Sequence, residues 1–260
     1  MLGYIDCHLH LDPTGKFQRD EFATPVPNLP EDLLAAMDER GIERGVVAAA
    51  RPQDNDHVLA CQRRHPARLY AAVCLHPNDA GAPAKFREYV STGAQGLVLD
   101  PLAQEFDDME SGRLAPLVQE AGILNVHVQF DCRPALGFST VAGATRMAYE
   151  FPETKFILLH AAAQRFADLL PVANDIGSRT WKNFYVDLSE TIVLLRFSPF
   201  WEQFRWTMHQ LGARHLVFGS GHPRGDLAKT LEAAHDLGFS AEEESLIFRE
   251  NMAGILDRRG

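Results

Sequence analysis

His8 and His10 stand two residues apart in the stretch Tyr4-Ile5-Asp6-Cys7-His8-Leu9-His10-Leu11-Asp12. Imidazoles at that spacing converge on one small ligand or ion when the backbone between them is extended. The pattern says that it is: Ile5, Cys7, Leu9 and Leu11 are apolar and alternate with Asp6, His8, His10 and Asp12, the period of a β-strand. Side chains two apart on a strand share a face, so both histidines point the same way. Neutral imidazole ligates divalent metals and exchanges protons near neutral pH. The same pair also fits the outer face of an exposed strand, so the other residues that reach the same place decide between the two.

The positions of the remaining polar groups are uneven. Short apolar runs along the chain end at Arg51, His76, Asp100 and His160. Another run carries His127, Gln129 and Asp131 on one face, a seventh leads into Asp187, Ser189 and Glu190, and an eighth into Ser220-Gly221-His222. Histidines at five of eight strand ends are expected to form one cluster. Each has a plainer alternative. His76 opens His76-Pro77-Asn78-Asp79, a turn sequence, and Asp6 fits a role bonding the ring N–H of a neighbouring histidine. Cys132 suits a small buried residue, since no fixed-spacing motif activates it, and His160 fits a satisfied core position. His57, His65, His209 and His235 fall in helical segments and read as surface residues.

The elements that must position these residues alternate. Strands are predicted at the first stretch, at Val46 to Ala50, Leu69 to Leu75, Gly96 to Leu99, Ile123 to Phe130, Lys155 to His160, Phe184 to Leu188 and His215 to Phe218. Helices lie between them, at Pro30 to about Gly41, Asp54 to His65, Ala84 to Val90, Leu114 to Ala121, through Arg146 to Glu150, Gln164 to about Val172 and around Phe200 to Leu211. Leu227 to Leu237 and Ala241 to Leu256 close the series. Eight strands in such alternation predict an α/β fold, a (β/α)8 TIM barrel with an additional C-terminal helix. In that architecture the active site lies at the C-terminal ends of the strands. Pro13 to Pro30, with Gly15 and four prolines, predicts a long irregular loop over the mouth, with Phe17 and Phe22 as apolar walls.

Composition sets the outer bounds. A chain of 260 residues with 46% hydrophobic and 23% charged residues suits one barrel domain over 1–260. The formal net charge of −10 and the absence of a basic run exclude a nucleic-acid partner. No apolar stretch is long enough to span a bilayer, and the chain enters a strand without a leader pattern. The four scattered cysteines form neither a zinc ribbon nor a disulfide framework. The expectation is a cytoplasmic protein acting on a small molecule.

On these residues the chain resembles the amidohydrolase superfamily, in the amidohydrolase-related branch that includes pyrone-dicarboxylate lactonases. The motifs are Ile5-Asp6-Cys7-His8-Leu9-His10, Asn55 with its helix, Gly96-Leu97-Val98-Leu99, His127, Leu158-Leu159-His160, Asn183 to Ser189, and Leu216-Val217-Phe218-Gly219-Ser220-Gly221-His222-Pro223. The resemblance implies that His8 and His10 bind a divalent metal, or polarise a substrate carbonyl without one, and that His127 and His160 complete the site. Two departures stand out. Gly221 replaces an aspartate that in the family ligates metal or serves as general base, and Val98 replaces a lysine, arginine or glutamate that bridges metals or holds a carboxylate. The expectation is therefore one metal, zinc first, held by His8, His10 and His160, or none. His127, His160, His222 and Asp100 are expected to be catalytic, and Arg51, Gln129, Ser189 and Glu190 to bind substrate. The base is sought among His222, Asp100, Glu190 and Asp226. The implied function is hydrolysis of a small carboxylated lactone, ester or amide; a decarboxylase and a non-catalytic binding barrel are the alternatives.

Overall fold

The structure, a computed structural model, describes residues 3–18, 22–106, 111–132, 140–178 and 182–257. The strands are β1 (Tyr4–Leu9), β2 (Lys16–Phe17), β3 (Val26–Pro27), β4 (Ile42–Ala48), β5 (Leu69–Cys74), β6 (Ala94–Leu99), β7 (His127–Asp131), β8 (Lys155–Leu159), β9 (Phe184–Asp187) and β10 (Leu216–Val217). Eight of them form one parallel sheet in the order β1-β4-β5-β6-β7-β8-β9-β10, with helices between. This is the (β/α)8 barrel. Parallel strands covered on both faces must be apolar nearly throughout, and β5 (Leu-Tyr-Ala-Ala-Val-Cys) and β8 (Lys-Phe-Ile-Leu-Leu) are buried at all but Tyr70 and Lys155.

The first and last strands meet. Cys7 N–H donates to the Phe218 carbonyl (2.9 Å), Gly221 N–H to the His8 carbonyl (2.9 Å) and His10 N–H to the His222 carbonyl (2.8 Å), with a parallel bridge between Leu9 and His222. A helical run through Ala241–Ser245, Leu246–Glu250 and Asn251–Leu256, its middle wound as a π-helix, packs beneath this seam. The Ile247 carbonyl accepts from Phe218 N–H (3.0 Å), and Asn251 Nδ2 donates to the Ala213 and Leu216 carbonyls, 2.8 Å each.

Several expected boundaries move. β7 begins at His127 rather than Ile123, because the preceding helix runs Ser111–Ile123 and Asn125, at φ 52°, ends it in the left-handed conformation that asparagine tolerates. The helix expected from Gln164 starts at Leu169; irregular turns occupy His160–Asp168. An unforeseen helix, Ser189–Leu195, follows β9. The segment from Pro13 to Pro30 is not wholly irregular, since β2 and β3 pair antiparallel in register Lys16↔Pro27 and Phe17↔Val26; residues 19–21 of it lie outside the described residues. Among the described residues no helix is long and apolar enough to cross a membrane.

Asn55 opens the helix Asn55–Arg64 and ties it to the barrel. Its Nδ2 donates to the Cys74 carbonyl and its Oδ1 accepts from Cys74 N–H, 2.8 Å each, at a site with 1% exposure. Removing the amide leaves two buried backbone groups unpaired at the end of β5. Asn55→Ala is therefore expected to lose on the order of 3 kcal/mol of unfolding free energy, measured by denaturant titration, against a loss below about 0.5 kcal/mol at an exposed helix position such as Asp56→Ala.

Candidate active site

β1 does not run straight into the site. Asp6 pairs with Gly45 but Leu9 with Val47, so three steps on β1 match two on β4. A bulge of this kind re-aims side chains, and here it carries His8 into the barrel with 2% exposure. The His8 ring lies 4.7 Å from that of His10 and 4.9 Å from that of His160, centroid to centroid. His10 Nδ1 is 3.2 Å from the Ala48 carbonyl. A carbonyl only accepts, so Nδ1 carries the proton and Nε2 keeps its lone pair.

Asp187, at the end of β9, is the hub. It is fully buried, accepts the Ser189 hydroxyl and, at 3.2 Å, the His160 backbone N–H, and lies 3.5 Å from His8 Nδ1. Ser189 N–H adds a bond of 3.1 Å. Burial pushes the Asp187 carboxyl up, but His8, His160 and Ser189 outweigh it and hold the group below its ordinary range. His8 Nδ1 also meets Ser189 Oγ at 3.1 Å. Burial, opposed by Asp187, lowers the His8 pKa; burial, reinforced by His8 and Arg224, lowers that of His10 further. Both rings are therefore neutral at pH 7, the form that offers a lone pair.

His160 is delivered by strained backbone. His160, Ala161, Ala162 and Ala163 all have positive φ, 62°, 43°, 61° and 49°, a conformation costing L-residues roughly 1–2 kcal/mol each. Neighbours hold it there: Cys132 Sγ accepts from Ala162 N–H at 3.2 Å and donates to the Leu159 carbonyl, and Thr191 Oγ1 donates to the His160 carbonyl at 2.6 Å. The ring consequently stands between two carboxylates, with Nε2 3.4 Å from Asp131 Oδ2 and Nδ1 3.8 Å from Glu190 Oε1.

His8, His160 and Asp187 each offer a ligand atom, all within 4.8 Å of one another and all buried. Two imidazoles and a carboxylate suit zinc or manganese. The residues fit a divalent metal. His10, expected among the ligands, adjoins this trio through its ring contact with His8, and the trio also contains Asp187, which was not expected among them. The strand-end carboxylate after Phe184-Tyr185-Val186 was the available signal for Asp187, and the alternation His127, Gln129, Asp131 was the signal for Asp131.

The other expected residues divide. Glu190 and His222 line a cavity of 1270 Å³ that His160 opens onto, together with Phe17, Val26 and Pro27 of the segment after β1; Phe22 is 90% exposed and is not a wall. Burial lowers the His222 pKa, opposed by Asp226. Gln129 is buried two residues before Asp131 on β7, and its Nε2 donates to the Cys7 carbonyl at 2.6 Å across the barrel. Ser189 is a hydrogen-bonding link between His8 and Asp187. Three residues show other contacts. His127 sits at the start of β7, opposite Gly96 and Lys155, four residues or about 13 Å below Asp131; the late start of β7 puts it on the barrel floor. Asp100 accepts from Ala103 N–H at 2.9 Å in the turn after β6. Arg51 is exposed and pairs with Asp54 at 3.2 Å. His76 holds its turn, accepting from Asn78 N–H at 3.1 Å and donating to the Gln104 carbonyl at 2.7 Å. Among the described residues Asp6 bonds no ring: its Oδ1 accepts the backbone N–H groups of His8 (2.9 Å) and Ser220 (3.1 Å).

Histidines and carboxylates gathered at the C-terminal ends of a parallel barrel define a barrel-mouth site. The profile of the Amidohydrolase family matches residues 5–257, and the chain belongs to that family. No curated protein matches it in sequence. Among solved structures it is similar to a candidate 2-pyrone-4,6-dicarboxylic acid hydrolase from Pseudomonas putida (20% identity, TM-score 0.73, covering 100% of this chain and 99% of that one). It is likewise similar to 2,6-dihydroxybenzoate decarboxylase from Rhizobium (16%, 0.73, 100% of both chains). A third is a dihydroxybenzoic acid decarboxylase from a Polaromonas species, solved with bound manganese and the inhibitor 2-nitroresorcinol (15%, 0.72, 99% of this chain and 97% of that one). At these identities the likeness is one of fold.

Burial raises the Asp6 carboxyl from 3.8 to about 7, against the hydrogen bonds from Ser220 and His8. The folded state thus keeps a proton that the unfolded chain has released, so this contribution is present below pH 4 and is lost as pH rises through 7. In metal-free protein, the stability of Asp6→Asn relative to the parent is expected to improve by on the order of 4 kcal/mol between pH 4 and pH 8. Paired denaturant titrations across that range measure the difference, in which the histidine contributions cancel.

Proposed function

We propose that this protein is a hydrolase of a small carboxylated lactone, ester or amide, acting at the mouth of its barrel. The observation that carries the reading is the buried trio His8, His160 and Asp187, with donor atoms within 4.8 Å of one another, beside a cavity that His160 lines. Bound there, a divalent metal supplies Lewis acidity toward a carbonyl and lowers the pKa of water. The chain's own groups do the rest. Asp187 and Ser189 fix the His8 ring, the Ala48 carbonyl fixes His10 in the tautomer with a free Nε2, and the turn at 160–163 fixes His160. The segment carrying Phe17, Val26 and Pro27 forms an apolar wall that limits water. Arg224 lines the same cavity, has no side-chain ion pair among the described residues, and offers a cation to a substrate carboxylate.

Protein purified without added metal, then analysed for metal and titrated calorimetrically with zinc and with manganese, is expected to bind about one ion per chain. Asp187→Asn and His8→Ala are each expected to weaken binding 10-fold or more, roughly the loss seen when a ligand or its support is removed. The loaded protein is then assayed on a panel of carboxylated lactones, esters and amides. Release of carbon dioxide in place of hydrolysis makes the protein a decarboxylase, and binding of panel compounds without turnover makes it a binding barrel.

A further inference from the structure

Four carboxylates stand against the histidines of the site, and three of them are engaged. Asp187 accepts the Ser189 hydroxyl and the His160 N–H. Asp131 is buried 3.4 Å from His160 Nε2. Asp226 caps the helix Leu227–His235, accepting Lys229 N–H, and pairs with the Lys229 ammonium at 3.2 Å. Glu190 differs from all three. It lies in the first turn of Ser189–Leu195, lines the cavity, and has a side chain 27% exposed. Among the described residues it has neither a lysine or arginine partner nor a hydrogen bond; its Oε1 stops 3.8 Å from His160 Nδ1, beyond hydrogen-bond reach.

Two glycines keep the flank of this carboxylate open. A Cβ placed on Gly221 would meet nothing nearer than Glu190 Cδ and Gly225 N at 3.9 Å, with Glu190 Oε2 at 4.0 Å. Gly225 presses against the Ser220 carbonyl, and a Cβ there would also lie 3.4 Å from Glu190 Cβ. The loop after β10 therefore contributes no side chain at 221 or 225 to cover Glu190, and the carboxylate is reachable from the cavity beside His160.

We infer that Glu190 is the catalytic carboxylate that takes the proton of the attacking water; the inference rests on the hydrolytic reading above. A lone pair of the water oxygen forms the bond to the substrate's carbonyl carbon while the carbonyl π pair moves onto its oxygen. One water proton passes to a Glu190 carboxylate oxygen. When the tetrahedral species collapses, the bond from carbon to the leaving oxygen or nitrogen breaks, and the leaving atom takes that proton from Glu190. Ester, lactone or amide plus water becomes acid plus alcohol or amine, and Glu190 returns to its starting state. A carboxylate already bonded to a cation or a backbone amide, as Asp226 is, is a poorer acceptor for this transfer.

The test uses the full-length, metal-loaded protein and the panel compound that the parent hydrolyses. Glu190→Gln, nearly isosteric, is expected to lower kcat about 100-fold or more, with KM within roughly threefold and metal content unchanged. Glu190→Gly is expected to be equally impaired, and to recover about tenfold when sodium formate is added, because a free carboxylate enters the space beside Gly221. Gly221→Asp combined with Glu190→Ala is expected to recover activity in the same way. In the parent background, Gly221→Asp is expected to lower kcat, since it sets a second negative charge against Glu190. Parent-like kcat in Glu190→Gln overturns the assignment, as does a loss that neither formate nor Gly221→Asp reverses, which marks a structural role. A parent that hydrolyses nothing on the panel overturns the hydrolytic reading itself, and the assignment with it.

Discussion

A buried carboxylate at the end of β9 governs the site. Asp187 has no exposure, and a charge in such a place is tolerated only when its oxygens are occupied. The groups that occupy them come from three places in the chain: His8 from β1, the His160 backbone from the exit of β8, and Ser189 from the residue pair after Asp187 itself. Satisfying one charge thus fixes the first strand, the sixth barrel strand and the seventh relative to one another. The oxygens of Asp187 are thus occupied by groups of the protein itself.

Around that charge the barrel uses irregular backbone where regular structure fails to aim a side chain. The bulge in β1 turns His8 inward, and four left-handed residues after β8 set His160 between Asp131 and Glu190. Each departure has its own restraint: the Phe218 and His222 carbonyls hold β1, and Cys132 and Thr191 hold the turn. Cys132 is therefore a backbone clip, consistent with a buried thiol rather than a nucleophile. Strain at these two places is offset by hydrogen bonds supplied from neighbouring strands.

The alternation of strands and helices was legible because parallel strands buried on both faces leave short, dense apolar runs, and Val46-Val47-Ala48 or Phe156-Ile157-Leu158-Leu159 are unmistakable in that sense. What periodicity does not show is where a strand begins. Ile123 looks like the first residue of a strand, yet it is the last residue of a helix and 70% exposed, and that shift carries His127 from the expected mouth to the floor. The backbone devices were equally hidden, since an alanine triplet carries no hint of positive φ. Residue type also exaggerated the histidines over the carboxylates: Asp187 and Asp131 look ordinary in sequence and become central only when β7, β8 and β9 lie side by side.

The seam between β1 and β10 has a consequence for how the chain is made. His8 and His10 leave the ribosome about two hundred residues ahead of groups that pin their strand, the carbonyls of Phe218 and His222. Contacts of such long sequence separation form slowly. Until they do, β1 is an open sheet edge carrying apolar residues and two imidazoles, the kind of surface that recruits chaperones or the wrong strand. The closed form of the site is consequently among the last properties these 222 residues acquire, and a chain truncated before residue 218 carries both histidines on a strand secured along one edge only.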